Sequence, residues 1–476
     1  MAHYDMLVIG TGPAGQKAAV QSSKLGKRVG IIERQVVVGG VCINTGTIPS
    51  KSLREAVLYL SGFRQRSIYG ASYRLKQDIT MEDLAFRANH IITEEVQIIR
   101  NQIARNNVDL INGTARFVDP HTLAIQQEHG AIEHTADFIV IAAGSKPARP
   151  ADVPFDGASV IDTDELLTLK CLPASLIIVG GGVIGCEYAS IASTMGVNVM
   201  LIDQRPRLLE FADHEIVEAL QSHMSANGVS LYLNEQVVGI KKQSDGQVGV
   251  KLNSGKQVTG AIVMYSAGRV GASNGLNLEA MGIKADSRGR LQVNEHFQTG
   301  VPHIYAAGDI IGFPALASTS MQQGRLAACH AFGLPADVKA QLLPFGIYTI
   351  PEISMVGPTE EELAQQHVPY EVGIARYREI ARGKLIGDDI GMLKLLFDKH
   401  SRKLLGVHAI GEGATELIHI GQAVMAHGGK IDYFVDNVFN YPTLAECYMV
   451  AALAGLNRLP RPWLPDSLAS TEVGTA

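Results

Sequence analysis

Two short glycine-rich segments carry residues whose types and spacing suit the binding of a pyrophosphate group. The first follows the apolar run 6–9 and the second follows the apolar run 176–179. Each has a Gly-x-Gly-x-x-Gly pattern, formed by Gly10, Gly12 and Gly15 and by Gly180, Gly182 and Gly185. Such a turn lets the backbone approach a pyrophosphate closely and aims a helix N-terminus at its charge.

An acidic residue closes each segment at the same distance from its first glycine. Glu33 follows Gly10 by 23 positions, and Asp203 follows Gly180 by 23 positions. A carboxylate at the end of the second strand can accept hydrogen bonds from ribose hydroxyls. Because this strand-turn-helix-strand-acid unit occurs twice with one spacing, the sequence predicts two dinucleotide sites.

Alternating strand and helix patterns predict the elements that position these turns. An Ala-rich helical pattern runs from residue 16 to 25, and the apolar strand 29–32 leads to Glu33. Further apolar strands end near Gly144 and at Gly308-Asp309, and Ala267-Gly268-Arg269 follows another. This alternation of strand and helix is typical of an α/β fold built on parallel sheets.

Composition and charge restrict the class of protein. The 476 residues are 46% apolar and 18% charged, a globular composition with room for two to four domains. A net charge of -6 argues against a general nucleic-acid binder. No apolar run reaches the roughly 18 residues of a membrane span, and no signal peptide is expected. Five scattered cysteines predict no disulfide scaffold and no metal site, and they fit a reducing cytoplasm.

These motifs resemble those of the class I pyridine nucleotide-disulfide oxidoreductases over roughly residues 3 to 459. The resemblance implies two Rossmann-like dinucleotide-binding domains, for FAD and NAD(P), and a C-terminal α+β interface and dimerisation domain. The first glycine segment then binds FAD, with Asp309 on the ribityl chain, and the second binds the nicotinamide nucleotide. Family members are homodimers, so a homodimer or larger homo-oligomer is expected.

The resemblance also implies the domain boundaries. Residues 1–150 form the first segment of the FAD domain, and residues 151–272 form the NAD(P) domain. Residues 273–343 return to the FAD domain, and residues 344–460 form the interface domain. The Pro-containing, small and polar segment 461–476 is expected to be a flexible tail.

One loop and one C-terminal segment depart from the family pattern. Where the family has a Cys-x4-Cys pair that cycles between dithiol and disulfide, this chain has Cys42 and Thr47. A threonine hydroxyl cannot form a disulfide, so thiol-disulfide exchange is closed at this loop. Tyr441 stands where the family has its acid-base histidine, although Glu446 is retained, and a phenol carries protons poorly at neutral pH.

Other parts of the flavin machinery match the family. Lys51 matches the lysine near flavin N5, and Glu187 matches its ion-pair partner, so these two are the predicted catalytic residues. A cation held there would stabilise negative charge on reduced flavin. Cys42 is expected to be a small packed residue beside the flavin rather than a nucleophile.

Both departures are similar to those of a branch of the family that exchanges hydride between the two nicotinamide nucleotides. The resemblance implies reversible hydride transfer from NADPH to NAD+ through flavin N5 by a ping-pong mechanism, with FAD as cofactor. Asp203 favours NAD, whereas Arg205 and Arg207 favour the 2′-phosphate of NADP, so this strand end suits a site that takes both. The candidate cofactor-binding residues are Gly10, Gly12, Gly15, Glu33, Arg34, Cys42, Thr47, Lys51, Gly144, Gly180, Gly182, Gly185, Asp203, Arg205, Arg207, Gly268, Gly308 and Asp309.

Three other functions are open at this point. A FAD-dependent NAD(P)H:quinone reductase or diaphorase of the same fold would turn over quinones rapidly and would reduce NAD+ negligibly. A dihydrolipoamide dehydrogenase homologue with altered chemistry is disfavoured, because the second cysteine and the histidine are missing. A non-catalytic flavin-binding subunit would hold FAD that NADPH fails to bleach. The intact second glycine motif and Glu187 argue against the last of these.

Overall fold

The computed structural model of the chain describes residues 1–335 and 342–460. The predicted tail 461–476 lies outside the described residues. The described chain divides into two compact units. The large unit contains residues 1–63, 74–206 and 228–335, and the small unit contains residues 64–73, 207–227 and 342–460.

The strands and helices of the described residues are as follows. The strands are β1 (Ala2–Ile9), β2 (Val29–Glu33), β3 (Asp109–Asn112), β4 (Thr114–Asp119), β5 (Thr122–Gln127), β6 (Gly130–Ile141), β7 (Ser145–Pro147), β8 (Val160–Asp162), β9 (Ser175–Val179), β10 (Asn198–Asp203), β11 (Val229–Leu233), β12 (Val237–Lys242), β13 (Val248–Leu252), β14 (Gln257–Gly260), β15 (Ile262–Tyr265), β16 (Arg269–Gly271), β17 (Ile304–Ala306), β18 (Phe345–Ile347), β19 (Ile353–Val356), β20 (Tyr370–Arg376), β21 (Met392–Asp398) and β22 (Leu404–Ile410). The α-helices are α1 (Pro13–Lys24), α2 (Gly40–Asn44), α3 (Thr47–Leu60), α4 (Arg66–Tyr69), α5 (Met81–Arg105), α6 (Val183–Thr194), α7 (His214–Ala226), α8 (Ala317–Ala331), α9 (Glu360–Gln365), α10 (Ala381–Ile386), α11 (Ala414–Ala426), α12 (Asp432–Asp436) and α13 (Glu446–Leu456). Short 3-10 turns occupy Phe63–Gln65, Leu166–Thr168, Leu278–Met281, Asp309–Ile311 and Tyr377–Glu379.

The first sheet of the large unit has the strand order β3-β2-β1-β6-β5-β4, with β17 also paired to β6. Strands β1 and β2 are parallel, with Ile9 opposite Ile32. Their apolar residues are buried because helices cover a parallel sheet. This register brings the carboxyl ends of β1 and β2 to one edge of the sheet. The first glycine turn and Glu33 therefore lie at that edge together.

The second sheet repeats this arrangement with the order β11-β10-β9-β15-β8. Strands β9 and β10 are parallel, with Val179 opposite Ile202, so the second glycine turn and Asp203 share an edge as well. A separate antiparallel sheet contains β12, β13 and β14. The chain passes from the first sheet to the second through β7, the first crossover, and returns through β16, the return crossover. These two strands pair in an antiparallel manner, with Lys146 opposite Val270.

The small unit is built on an antiparallel sheet with the order β18-β19-β22-β21-β20. Its core joins the sheet to α11, α12 and α13 through buried aromatic residues that include Phe397, Phe434 and Tyr448. Lys394 on β21 and His408 on β22 are opposite each other in the ladder, and both are buried. None of the helices in the described ranges is both long and apolar enough to cross a membrane. The predicted α/β fold with a C-terminal α+β part is confirmed.

Candidate dinucleotide and flavin site

The first glycine turn has a backbone that side chains would disrupt. Gly10 has a φ of +103°, and a Cβ on Gly15 would lie 1.9 Å from the Gly10 carbonyl oxygen. Only glycine therefore allows α1 to start this close to β1. At Gly12, in contrast, an added Cβ would meet no described atom within 4 Å. The space above Gly12, at the N-terminus of α1, is open to a ligand.

Glu33 is held firmly at the end of β2. Its Oε2 accepts hydrogen bonds from the Thr11 backbone N–H at 3.2 Å and from the Thr11 hydroxyl, and its Oε1 accepts from Gln35 N–H at 2.9 Å. The Thr11 hydroxyl in turn accepts a hydrogen bond from Gly39 N–H at 2.9 Å. Because a carboxylate offers about four acceptor positions, Glu33 can still accept from a ribose hydroxyl.

A cavity of about 450 Å³ extends along this edge of the sheet. That volume lies within the usual range of ligand sites, about 300–1,000 Å³. Nine of the predicted cofactor-binding residues line it, and they come from segments far apart in the sequence: Gly10, Gly12, Glu33, Arg34, Cys42, Thr47, Gly144, Gly308 and Asp309. Gly15 lies behind the turn, and Lys51 is not part of this lining.

Asp309 follows β17 and is fixed by a side chain from the first crossover. Its Oδ2 accepts a hydrogen bond from the Ser145 hydroxyl at 2.7 Å. Arg269, on the return crossover, donates from Nε to the same hydroxyl at 2.8 Å and from Nη2 to the Ser145 carbonyl at 3.0 Å. The neighbouring glycines adopt positive φ values, +72° at Gly144, +116° at Gly268 and +85° at Gly308. Both crossovers therefore contribute to the placement of Asp309.

The redox-loop positions are in contact. Cys42 and Thr47 lie on consecutive helices, α2 and α3, and the Thr47 hydroxyl hydrogen-bonds the Cys42 sulfur. Burial raises the pKa of the Cys42 thiol, and the Thr47 hydrogen bond opposes that rise without cancelling it. All five cysteines, each in the described part of the chain, are free. Cys42 is thus a protonated, packed thiol at neutral pH rather than a reactive thiolate.

Lys51 on α3 and Glu187 on α6 form an ion pair. Lys51 Nζ lies 2.9 Å from Glu187 Oε1 and 2.7 Å from Oε2. The Glu187 side chain is 4% exposed and the Lys51 side chain 24% exposed. A carboxylate buried to this extent needs its cation, so the pair fixes the ammonium group in position.

The second glycine turn reproduces the first. Gly180 has a φ of +112°, and a Cβ on Gly185 would lie 1.9 Å from the Gly180 carbonyl oxygen. A Cβ on Gly182 would meet no described atom within 4 Å. This turn has the same open position at a helix N-terminus as the first turn has at Gly12.

Asp203 at the end of β10 is bound by Arg205. The Asp203 Oδ1 accepts from Arg205 N–H and Nε, each at 2.8 Å, and Arg205 Nη2 lies 2.7 Å from Oδ2, which also accepts from Gly181 N–H. Burial raises the pKa of Asp203, but the hydrogen bonds from Arg205 and Gly181 outweigh burial and hold it below its ordinary value. Asp203 is therefore an ionised acceptor at neutral pH.

Arg207, Tyr441 and Glu446 belong to the small unit. Arg207 lies 3.7 Å from Glu361 and donates to the Glu210 carbonyl at 3.3 Å. Tyr441 is 73% exposed. Glu446 Oε2 is buried and has no hydrogen-bond partner within the described ranges. The contacts within the small unit do not assign a binding role to these three residues.

Sequence reasoning missed four residues of the site. Thr11 orients Glu33, Ser145 orients Asp309, and Thr45 and Asp164 line the cavity. The hydroxyl of Thr45 is buried and lies close enough to Asp164 to lower the pKa of that carboxyl. Thr11 could have been suspected from its place inside the first glycine turn, whereas Asp164 carries no motif.

The chain belongs to the pyridine nucleotide-disulphide oxidoreductase family. The family model matches residues 4–324, and the model of the family's dimerisation domain matches residues 343–452. Membership confirms the predicted family and the predicted use of FAD and nicotinamide nucleotides, and the dimerisation domain supports self-association.

Relatives within the family are more specific. The chain is 54% identical to the soluble pyridine nucleotide transhydrogenase of Mycobacterium tuberculosis strain H37Ra, over 96% of this chain and 98% of the relative. It is 45% identical to the protein of that name from Vibrio parahaemolyticus, over 96% and 99%. Among solved structures, the HOCl-induced flavoprotein disulfide reductase RclA from Escherichia coli matches with a TM-score of 0.84 at 27% identity, over 94% of this chain and 99% of that one.

The cavity fits FAD by its own chemistry. Gly12 leaves open the space that a pyrophosphate needs at the N-terminus of α1. Glu33 supplies an acceptor at one end of the cavity. Asp309 and the hydroxyl of Thr45 supply further polar groups along the cavity.

Proposed function

We propose that this protein is an FAD-dependent pyridine nucleotide transhydrogenase that moves hydride reversibly between NADPH and NAD+. One observation carries the proposal: Thr47 lines the cavity together with Cys42, at the position where a dithiol would need its second sulfur. Electrons entering this site have no disulfide to reach, so a second nicotinamide nucleotide is the natural acceptor. The names of the relatives support the same activity.

Each predicted site residue has a role in this proposal. Bound FAD supplies reversible two-electron hydride acceptance. The backbone around Gly12 binds its pyrophosphate, Glu33 binds a ribose and Asp309 binds the ribityl chain. Lys51, fixed by Glu187, presents a positive charge to the edge at which hydride arrives. These side chains orient and stabilise, because the cofactor carries the chemistry.

The second glycine turn, in the proposal, receives both nicotinamide nucleotides in succession. The backbone around Gly182 binds the pyrophosphate, and Asp203 accepts a hydrogen bond from the ribose of NAD in place of one that it accepts from the Arg205 side chain. Arg205 already neutralises Asp203, so the local charge that a 2′-phosphate would meet is smaller than a lone carboxylate would give. This pairing supports acceptance of NADP without loss of NAD.

The kinetic scheme that follows is ping-pong, since the two nucleotides share one place. We infer further that the protein works in the cytoplasm as a homodimer or larger homo-oligomer. The dimerisation domain and the word soluble in the relatives' names support this inference. Parallel double-reciprocal lines for NADPH and NAD+ are expected, and intersecting lines would contradict the shared place.

The test is an anaerobic two-step titration of the flavoprotein. NADPH is added until the flavin absorbance is bleached, and excess NAD+ follows. The expected result is a return of the flavin absorbance together with one NADH for each flavin. A flavin that NADPH bleaches but NAD+ does not restore would refute the proposal, and fast restoration by a quinone would then favour the quinone reductase.

A further inference from the structure

One carboxylate in the flavin cavity has no part in the proposed function. Asp164 lies just after β8 and lines the cavity together with Cys42, Thr45 and Thr47. Its side chain is 26% exposed. A carboxylate in such a partly buried position, next to the redox loop, can change its charge when the charge of the cavity changes.

Asp164 is connected to the predicted ribityl-binding residue through a chain of polar contacts. Arg269 Nη1 lies 3.5 Å from Asp164 Oδ1, and Arg269 Nε donates to Ser145, whose hydroxyl donates to Asp309. One guanidinium therefore serves two carboxylates that line the same cavity. Lys146, which follows Ser145, also lines the cavity, so the two carboxylates share it with one guanidinium and one ammonium group.

Charged and titratable groups surround Asp164, and the Thr45 hydroxyl is close enough to lower its pKa. Burial raises its pKa, the charge of Arg269 lowers it, and the charge of Asp162 raises it again, with a net rise. Asp162 is itself paired with Arg149 at 2.7 Å. On α6, burial raises the pKa of the Tyr188 hydroxyl, so that group is already protonated.

We propose that Asp164 takes up a proton when the bound cofactor receives hydride and releases that proton when hydride leaves. The proposal rests on the assignment of this cavity to FAD. Hydride brings one negative charge into the cavity, and one proton from solvent neutralises the Asp164 carboxylate, so the net charge of the site is unchanged. No bond other than the O–H bond of Asp164 is made or broken in this step. Asp164 thus compensates charge and does not take part in the hydride transfer itself.

The experiment measures the midpoint potential of the bound flavin against pH, by mediated electrochemical titration from about pH 5 to 9. The slope gives the number of protons taken up with each electron pair. No nicotinamide nucleotide is present, so the result does not depend on whether the protein transfers hydride to NAD+. The wild type is compared with Asp164→Asn and with Glu165→Gln as the matched control.

Glu165 suits this role because it adjoins Asp164 in sequence and lies outside the cavity lining, where it pairs with Arg149 at 2.6 Å. For each electron pair, the wild type is expected to take up as much as one proton more than Asp164→Asn, in a pH range above the ordinary aspartate pKa. Glu165→Gln is expected to behave like the wild type. Equal proton uptake in the wild type and in Asp164→Asn would overturn the proposal. If Asp164→Asn fails to hold FAD, Asp164→Ser replaces it. A wild-type slope of one proton at every pH overturns the proposal without any variant.

Discussion

Replacement of Lys394 by methionine is expected to unfold the antiparallel sheet of the small unit locally. Lys394 Nζ lies 3.0 Å from both carboxylate oxygens of Asp213, which is the N-cap of α7 and is fully buried. Burial lowers the pKa of Lys394, but the charge and hydrogen bonds of Asp213 and Glu360 raise it further than burial lowers it. Lys394 therefore stays charged in the core.

The cost follows from these distances. Two unit charges 3.0 Å apart attract by about 5 kcal/mol at an effective dielectric constant of about 20. Methionine fills the volume but leaves Asp213 without its cation, and breaking one side of a buried pair costs about 3–5 kcal/mol. Lys394 also lies 2.6 Å from Glu360 and 3.4 Å from Glu215. Those carboxylates are 36% and 38% exposed, so water can solvate them when the cation is lost, and Asp213 sets most of the cost.

Amide hydrogen exchange of β21 and β22 is the suitable assay, since a flavoprotein of two units does not unfold in a single step. Protection of these strands is expected to fall more than a hundredfold, which corresponds to about 3 kcal/mol or more. Lys399→Met is the control, because Lys399 is 48% exposed and lies 3.8 Å from Glu371. Equal protection in Lys394→Met and Lys399→Met would refute the reasoning.

A second variant tests the cause of that loss. Lys394→Met combined with Asp213→Asn removes both charges and keeps an N-cap acceptor for the Glu215 N–H. Part of the protection is expected to return, since the uncompensated charge is gone. Protection as low as in the single variant would mean that lost packing, and not the unpaired charge, causes the effect.

Three further predictions follow from individual residues. His408 is buried, and burial lowers its pKa more than Asp213 raises it. Below about pH 6.5 the unfolded chain alone takes up that proton, so stability of the small unit falls by as much as about 1.4 kcal/mol per pH unit. His408→Gln should flatten this dependence in exchange measured from pH 7 to pH 5. Thr47→Cys should raise electron uptake in a dithionite titration from one electron pair per flavin to two, because residue 47 contacts the Cys42 sulfur. The Gly182→Ala variant should fold, because a Cβ there meets no described atom within 4 Å, and it should bind nicotinamide nucleotides more weakly in equilibrium titrations. The Gly185→Ala variant should fail to fold around the second glycine turn, because its Cβ would lie 1.9 Å from the Gly180 carbonyl oxygen.

The glycine turns could be predicted from the sequence because their geometry is local. The distance from Gly15 to the Gly10 carbonyl is set by five residues of backbone, and any chain with that spacing must meet the same contact. Glu33 was predictable for the same reason, since the parallel register of β1 and β2 brings both ends to one edge. Local backbone geometry and strand register thus explain why the glycine turn and Glu33 of the predicted FAD site could be read from the sequence.

Contacts between distant segments could not be predicted in this way. Arg269 and Asp164 meet because β8 pairs with β15, with Asp162 opposite Tyr265, and each of the two residues follows one of these strands. Asp164 lies in no ligand motif. The two compact units also follow contacts rather than chain order: residues 207–227 belong to the small unit although they follow the second glycine unit directly. The domain boundaries that the resemblance implies therefore stay a prediction.

The loss of the second sulfur changes what the rest of the site must do. In a disulfide reductase the electron pair can leave the flavin for a disulfide within the same protein, which it reduces to a dithiol. With Thr47 in that position, the proposed function keeps the electron pair on the cofactor while one nucleotide departs and another binds. Its negative charge must be offset for that whole interval, and the fixed cation of Lys51 offers one means. A proton on Asp164 offers a second means of offsetting that charge. Because Asp164 releases the proton when hydride leaves for NAD+, this compensation does not oppose the second transfer.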